Sequence, residues 1–236
     1  MKVAIMQPYF LPYIGYFQLI NAVDVFVIYD NIEFTKKGWI NRNRILVNGK
    51  DDYFTLPLKK ASDFLNVNQR ELSESYHKDS IKILSKIAEL YKKAPQYNEV
   101  FPLIEKVFMF ENQNLFDFIF NSLKIFCNYL EIKTNFVVSS SVLIDHSLKS
   151  QNKVIAICKQ LQATNYINAI GGQELYDKEM FEKNKIELNF IKTDPIKYKQ
   201  FDNDFIPWLS IIDVIMFNSL EESKLLLNKY KLVWKV

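Results

Sequence analysis

The sequence predicts an α/β fold: a parallel, Rossmann-like sheet carrying a helical insert or subdomain. Three observations lead there. Two short apolar runs, Lys2-Val3-Ala4-Ile5-Met6 and Val25-Phe26-Val27-Ile28-Tyr29, are joined by a helix-patterned segment, and strands without polar alternation are those covered on both faces, as in parallel sheets. Polar and charged residues gather directly after each run, where an open parallel sheet places its ligand. From about 79 to 130 the apolar spacing is helical throughout, with strand-like runs on either side. The reading is one α/β domain over 1–236 with a helical insert at 79–130.

Taken in order, residues 2–6 form a buried strand cut off by Pro8. Pro8 and Pro12 stiffen the loop that follows. Ile14, Phe17, Leu19 and Ile20 space a helix of about two turns through Asn21. With Val25–Tyr29 this gives a βαβ unit whose strands are adjacent and parallel. A polar, basic stretch covers 31–44. Residues 45–56 form a hairpin turned by Asn48-Gly49, a pair suited to positive φ. Ile81, Leu84, Ile87, Ala88 and Tyr91 begin three helices, and the aromatic stripe Phe101, Phe108, Phe110 belongs to the core. Short strands follow at Asn135–Ser139 and Tyr166–Ile170, with a helix over Lys149–Leu161 between them. The turn Gly171-Gly172 leads into a helix over Glu174–Lys183. Ile186–Ile191 alternates, which predicts an edge strand. Helices at Asp213–Phe217 and Leu220–Leu227 end the series.

The formal charge of +3 is too small to point to a nucleic-acid partner. Cys127 and Cys158 lack metal or redox spacing and read as buried, reduced thiols. The first apolar run is too short for a signal peptide, and no apolar stretch reaches the roughly 18 residues of a membrane helix. The expectation is a soluble, cytoplasmic protein with no membrane insertion; its oligomeric state is left open.

Gln7-Pro8-Tyr9-Phe10-Leu11-Pro12-Tyr13-Ile14-Gly15-Tyr16-Phe17, Asp24-Val25-Phe26-Val27-Ile28-Tyr29-Asp30 and Trp39-Ile40-Asn41-Arg42-Asn43 together resemble the WbqC-like proteins. Leu56–Lys60, Tyr91–Pro95, the block 163–177 and Phe205–Asp213 extend the likeness nearly end to end. The resemblance implies a part in bacterial surface-polysaccharide (O-antigen) biosynthesis. The first turn is also similar to that of HIGH-motif nucleotidyltransferases and ligases, pantothenate synthetase among them. Here Ile14-Gly15 stands between Tyr13 and Tyr16, where that group has histidines. Tyrosine, with an ordinary pKa near 10, brings no positive charge to a phosphate.

Three stretches are candidates for chemistry. A strand, a Pro-bounded loop and a glycine at a helix start aim backbone N–H groups at a ligand, so Gln7, Tyr13, Gly15 and Tyr16 are cofactor-binding candidates; the alternative is that Gly15 only permits close packing. Lys36–Arg44 holds four cations, two amides and a tryptophan in nine residues. Lys37, Trp39, Asn41, Arg42 and Asn43, with Lys59 beyond the hairpin, suit a polar anionic ligand such as a nucleotide sugar; the alternative is a solvated basic loop. Gly171, Gly172 and Gln173 form a second turn at which backbone can approach phosphate, and this turn lies in one of the strongest blocks of the family likeness. His77, where the family also has a histidine, is a candidate general base or phosphate ligand, with a surface helix-cap role as the alternative, and Asp30, at the end of the second strand, is a candidate base, metal ligand or ribose contact. Nothing has the spacing of a metal site; ATP with Mg²⁺ is the implied cofactor if the HIGH-like turn acts as in that group.

With these candidates, the WbqC-like resemblance implies an enzyme of surface-glycan biosynthesis, a transferase or ligase acting on a nucleotide-linked amino sugar, and the HIGH-like resemblance implies ATP-dependent acyl or aminoacyl amide formation. Carrier-dependent acyl transfer without ATP, or a binding or scaffold role in a glycan-biosynthesis complex, are the alternatives.

Overall fold

The computed structural model describes residues 1–234. The chain opens with β1 (Lys2–Met6), α1 (Ile14–Asn21) and β2 (Val25–Ile28), followed by the hairpin β3 (Arg42–Val47) and β4 (Lys50–Thr55). Three helices come next, α2 (Tyr76–Tyr91), α3 (Tyr97–Phe108) and α4 (Leu115–Tyr129). Then follow β5 (Asn135–Val138), α5 (Ser150–Gln160), β6 (Asn165–Ala169), α6 (Lys178–Lys183), β7 (Glu187–Thr193), α7 (Ile211–Phe217), α8 (Leu220–Leu227) and β8 (Tyr230–Val233).

Among the described residues six strands make one sheet in the order β5-β2-β1-β6-β7-β8. The first five are parallel and β8 is antiparallel to β7. The mixed α/β architecture expected from the apolar runs is therefore present, and β1 and β2 are adjacent and parallel, in register from Val3–Val25 to Met6–Ile28. Side-chain alternation divides the core into two layers. Ala4, Phe26, Ile28, Ile167 and Ile191 pack under α1, the α2–α4 block, α7 and α8. Val3, Ile5, Val27, Tyr166, Leu188 and Phe190 pack under α5 and α6. The helical block thus shares a core with the sheet. Cys127 and Cys158 are free thiols on opposite faces, and burial pushes the Cys158 thiol up to about 12.

Four boundaries differ from the sequence reading. The hairpin starts at Arg42, so Arg42, Asn43 and Arg44 belong to β3 rather than to a solvated loop. Asn48 and Gly49 do turn it, with φ of 50° and 76°. The helical block starts at Tyr76, three residues before Asp79. Residues 170–175 form a 3-10 turn, and α6 begins only at Lys178. Last, β7 is an interior strand, since β8 covers its outer side; the polar positions on β7 disguise it because that flank of the sheet is thinly covered.

Candidate functional site

The strand order sets the site. From β1 the chain moves to β2 and β5 on one side; from β6 it moves to β7 on the other. The helix after β1 packs on one face of the sheet and the helix after β6 on the opposite face. Such a reversal sends neighbouring loops apart and leaves a crevice at the carboxyl ends of the strands. The pairing agrees: β1 and β6 are in register only at Lys2–Asn165 and Val3–Tyr166, whereas β1 and β2 stay paired to Met6.

Loops at this edge build an aromatic cavity of about 320 Å³ lined by Tyr9, Pro12, Tyr13, Trp39, Asn43, Arg44 and Trp208. A second cavity of about 310 Å³ adjoins it, with Tyr13 and Trp208 in both walls and Thr193, Tyr198 and Phe205 deeper in. Trp39 and Trp208 are 37% and 69% exposed, unusual for so large an apolar surface. Two bulky residues here have positive φ, Leu11 at 44° and Trp208 at 57°, a conformation that costs a side-chain-bearing residue roughly 1–2 kcal/mol. The surroundings hold them. Ser210 donates through Oγ to the Leu11 carbonyl at 2.7 Å and through its N–H to the Arg44 carbonyl at 2.9 Å, and the Ile211 N–H donates to the Pro12 carbonyl at 2.8 Å. The segment after β7 is thereby pinned to the segments after β1 and β2.

On the hairpin side, Arg42, Tyr53, Trp39 and Arg44 interleave. The Arg42 guanidinium lies 4.6 Å from the Tyr53 ring centroid, Tyr53 stacks on Trp39 at 6.1 Å, and Arg44 lies 5.5 Å from the Trp39 ring. Arg44 donates to Asp51 at 2.8 Å and to the Trp208 carbonyl at 3.3 Å, while its Nε is buried without a partner among the described residues. Sandwiched guanidinium and indole planes of this kind present flat apolar faces with donors at the rim.

Of the residues singled out by sequence, Tyr13, Trp39 and Asn43 meet in this cavity. Asn43 is buried and its amide is engaged by the Phe10 carbonyl at 3.1 Å, so it shapes the wall. Gly15 has a steric reason: a Cβ there would lie 2.3 Å from the Tyr13 ring, which folds over the start of α1. Tyr16 lies inside the core, donating to the Gln7 carbonyl at 2.7 Å, with burial pushing its pKa well up. Gln7 itself sits at the end of β1, where its Oε1 accepts from the Tyr9 hydroxyl at 3.3 Å.

The others point elsewhere. Arg42 donates to the carbonyls of Gly38 and Lys37, closing the turn in which Lys37 has φ 61°. Asn41 donates to the Leu56 carbonyl at 2.9 Å. Lys59 pairs with Glu71 on the surface. His77 is exposed in a different cavity, between the start of α2 and the α3–α4 connection. Gly171 and Gly172 lie in the 3-10 turn after β6, beside the crevice, and Gln173 donates to the Trp234 carbonyl at 3.2 Å.

Asp30 is buried at the end of β2 and fully engaged. It accepts from Ser139 Oγ at 2.8 Å, the Ser140 N–H at 2.9 Å and Asn68 Nδ2 at 2.7 Å. Burial would raise its pKa, but the bonds from Ser140, Ser139 and Asn68 outweigh it and hold the carboxyl below the usual range. A carboxylate so supplied with donors is a weak proton acceptor, and its position makes it a clasp between the loops after β2 and β5. Next to it, His146 donates through Nε2 to the Val142 carbonyl at 3.0 Å and accepts at Nδ1 from Asn31 at 3.1 Å. Among the described residues no cluster of His, Cys, Asp or Glu is placed to hold a metal ion, and no helix is long and apolar enough to cross a membrane.

Two cavity residues escaped the sequence reading. Arg44 belongs to the basic stretch and lies two residues along β3 from Arg42, beside Trp208 rather than the Lys37–Gly38 turn. Trp208 lies 164 positions from Arg44, and in the sequence it stood only within the Phe205–Asp213 block of the family likeness.

Fold and site together define an α/β protein with an aromatic, arginine-rimmed cleft at the switch-point edge of a parallel sheet. The chain belongs to the WbqC-like protein family, whose profile matches residues 7–225. It is 30% identical over 222 residues to the uncharacterized protein Rv1507c of Mycobacterium tuberculosis (strain ATCC 25618 / H37Rv), covering 92% of this chain and 93% of that one. No solved structure matches it.

Proposed function

We propose that this protein is a cytoplasmic enzyme of surface-glycan biosynthesis that binds a nucleotide-linked sugar in the paired cavities around Tyr13 and Trp208. The observation that carries this reading is the cleft itself. Two cavities of similar size share an aromatic partition, and the Arg44 guanidinium lines one of them. A ligand with two flat or semi-flat ends, a base and a sugar ring, fits such a division, and aromatic faces stack on both. The reaction class is transfer of an acyl or aminoacyl group to the amine of the sugar, with the family's association with glycan gene clusters as its support.

Intrinsic fluorescence tests it, because Trp39 and Trp208 line the cleft. A panel of nucleoside diphosphate sugars, with and without an amine, should give saturable quenching. Trp39→Ala and Trp208→Ala should each weaken binding about tenfold, close to the roughly 1.4 kcal/mol of a stacked aromatic contact. Calorimetry showing no binding by any member of the panel overturns the proposal. Pyrophosphate release that depends on ATP, Mg²⁺, a carboxylic acid and the amino sugar together would assign the ATP-dependent route. Its absence, with product formed from a carrier-bound acyl group, would assign the carrier-dependent one.

A further inference from the structure

Helix α5 puts a lysine on its apolar side. Val154, Ile157 and Cys158 face the second core layer, and Lys153 is only 5% exposed among them. Its Nζ lies 5.0 Å from the centre of the Tyr29 ring, at the carboxyl end of β2. Among the described residues it has no hydrogen-bond acceptor and no carboxylate within ion-pair distance; the nearest acid, Asp30, has its oxygens engaged by Ser139, Ser140 and Asn68. A lysine whose stem is this deeply buried ordinarily sets its ammonium against a counter-ion or a hydrogen-bond acceptor. Burial accordingly lowers the Lys153 pKa, with the Asp30 charge opposing the shift.

The surroundings indicate what is missing. Lys153 lies in the first turns of an eleven-residue helix, whose N-terminal N–H groups favour negative charge. The turn after β6 reaches the same place: the Asp177 N–H donates to Gln151 Oε1 at 2.9 Å, and Tyr176 meets Asn168 at 2.8 Å. Within that turn, a Cβ on Gly171 would meet nothing within 4 Å. An ammonium without an acceptor, a helix N-terminus and the turn that carries an open glycine therefore belong to elements linked at the carboxyl end of the sheet, through Tyr29 and the Asp177–Gln151 bond.

We propose that Lys153, the N-terminus of α5 and the Gly171-Gly172 turn form a phosphate site that takes the charged part of the ligand. This deepens the reading above, resting on it only for the identity of the whole ligand; the phosphate site stands or falls by itself. Inorganic pyrophosphate is the probe, with acetate as the control for a carboxylate. Pyrophosphate should raise the melting temperature of the full chain saturably, and acetate should not. Lys153→Met, which keeps the stem and removes the charge, should fold, melt at or above the wild-type temperature, and bind pyrophosphate at least tenfold more weakly. Lys153→Arg should recover part of the binding. Equal pyrophosphate affinity in wild type and Lys153→Met, no response to pyrophosphate in the wild type, or an equal response to acetate overturns the proposal. Nucleotide-sugar quenching that survives such a result would leave the aromatic cleft intact as a separate finding.

Discussion

The Tyr13 ring lies over Gly15 so closely that a methyl group on Gly15 would sit 2.3 Å from it. Gly15 is helical, without positive φ, so its role is to make room for that ring. Alanine favours a helix interior by about 0.5–1 kcal/mol over glycine, and the displaced neighbour is a half-buried side chain free to swing away. Gly15→Ala should therefore melt within a few degrees of wild type. Tyr13 should leave the partition between the two cavities, and nucleotide-sugar affinity should fall about tenfold. Thermal melts and fluorescence titration check this; unchanged affinity would show that Tyr13 is not part of the binding surface.

Arg42 and Arg44 divide along β3. Arg42 closes the turn at Lys37 and Gly38, whereas Arg44 lines the cavity. Arg42→Ala should destabilise by about 1 kcal/mol through lost bonds to the turn carbonyls and leave affinity within twofold. Arg44→Ala should weaken ligand binding by roughly ten- to a hundredfold, the range for a charge-assisted hydrogen bond. Calorimetric titration of both variants separates them, and the opposite ranking would move the site toward the hairpin turn.

The two arginines also show how far the sequence was legible. The βαβ opening was readable because β1 and β2 are buried on both faces and a proline ends the first. The basic cluster was readable as a composition. Which of its members meets the cavity was not, because Arg42 and Arg44 both lie in β3 and differ only in their neighbours, the Lys37–Gly38 turn for one and Trp208 for the other. Trp208 joins the site only through the hydrogen bonds of Ser210 to Leu11 and Arg44, a tertiary relationship with no local signature. Lys153 had a sign that was overlooked, a charge on the apolar stripe of α5. Strand β8 is short, and two of its four residues are exposed, so no apolar run announced it.

Asp30 predicts an acid-dependent stability. Its folded pKa is below its ordinary value, so the native state favours the ionised form. The stabilisation is complete above the ordinary carboxylate pKa of about 4 and is lost as pH falls through the lower folded value. Asp30→Asn keeps an acceptor for Ser139 and Ser140 but sets an amide against Asn68. It should cost about 1–2 kcal/mol at pH 7. Urea unfolding from pH 7 to pH 3 should show the gap between wild type and variant narrowing in acid; a constant gap would mean that Asp30 is not ionised at neutral pH.

Asp213, fully buried in the first turn of α7, carries the most consequential carboxyl of the core. The Tyr198 hydroxyl and Gln200 Nε2 each donate to its Oδ1 at 2.6 Å, and the Tyr91 hydroxyl donates to its Oδ2 at 2.8 Å while accepting from the Leu46 N–H. One side chain thus joins α2, β3, α7 and the segment leading to Trp208. Asp213→Ala strands three buried donors, at about 1–3 kcal/mol each when unsatisfied. Partial relaxation should leave a loss on the order of 3–5 kcal/mol, or roughly 10 °C in a chain of this size. Asp213→Asn retains an acceptor for Tyr198 and Gln200 and should cost only about 1–2 kcal/mol. Burial raises the Asp213 pKa above its ordinary value, although Tyr198, Tyr91 and Gln200 oppose the shift. The native state therefore holds its proton more tightly than the unfolded chain, and this carboxyl's contribution to stability falls as pH rises from the ordinary to the raised value. Asp213→Asn lacks that slope. Urea titrations of wild type and Asp213→Asn between pH 3.5 and pH 7, a range of about the carboxylate window, should show their stabilities drawing together as pH rises. If they run parallel instead, the three donors hold Asp213 ionised in spite of its burial.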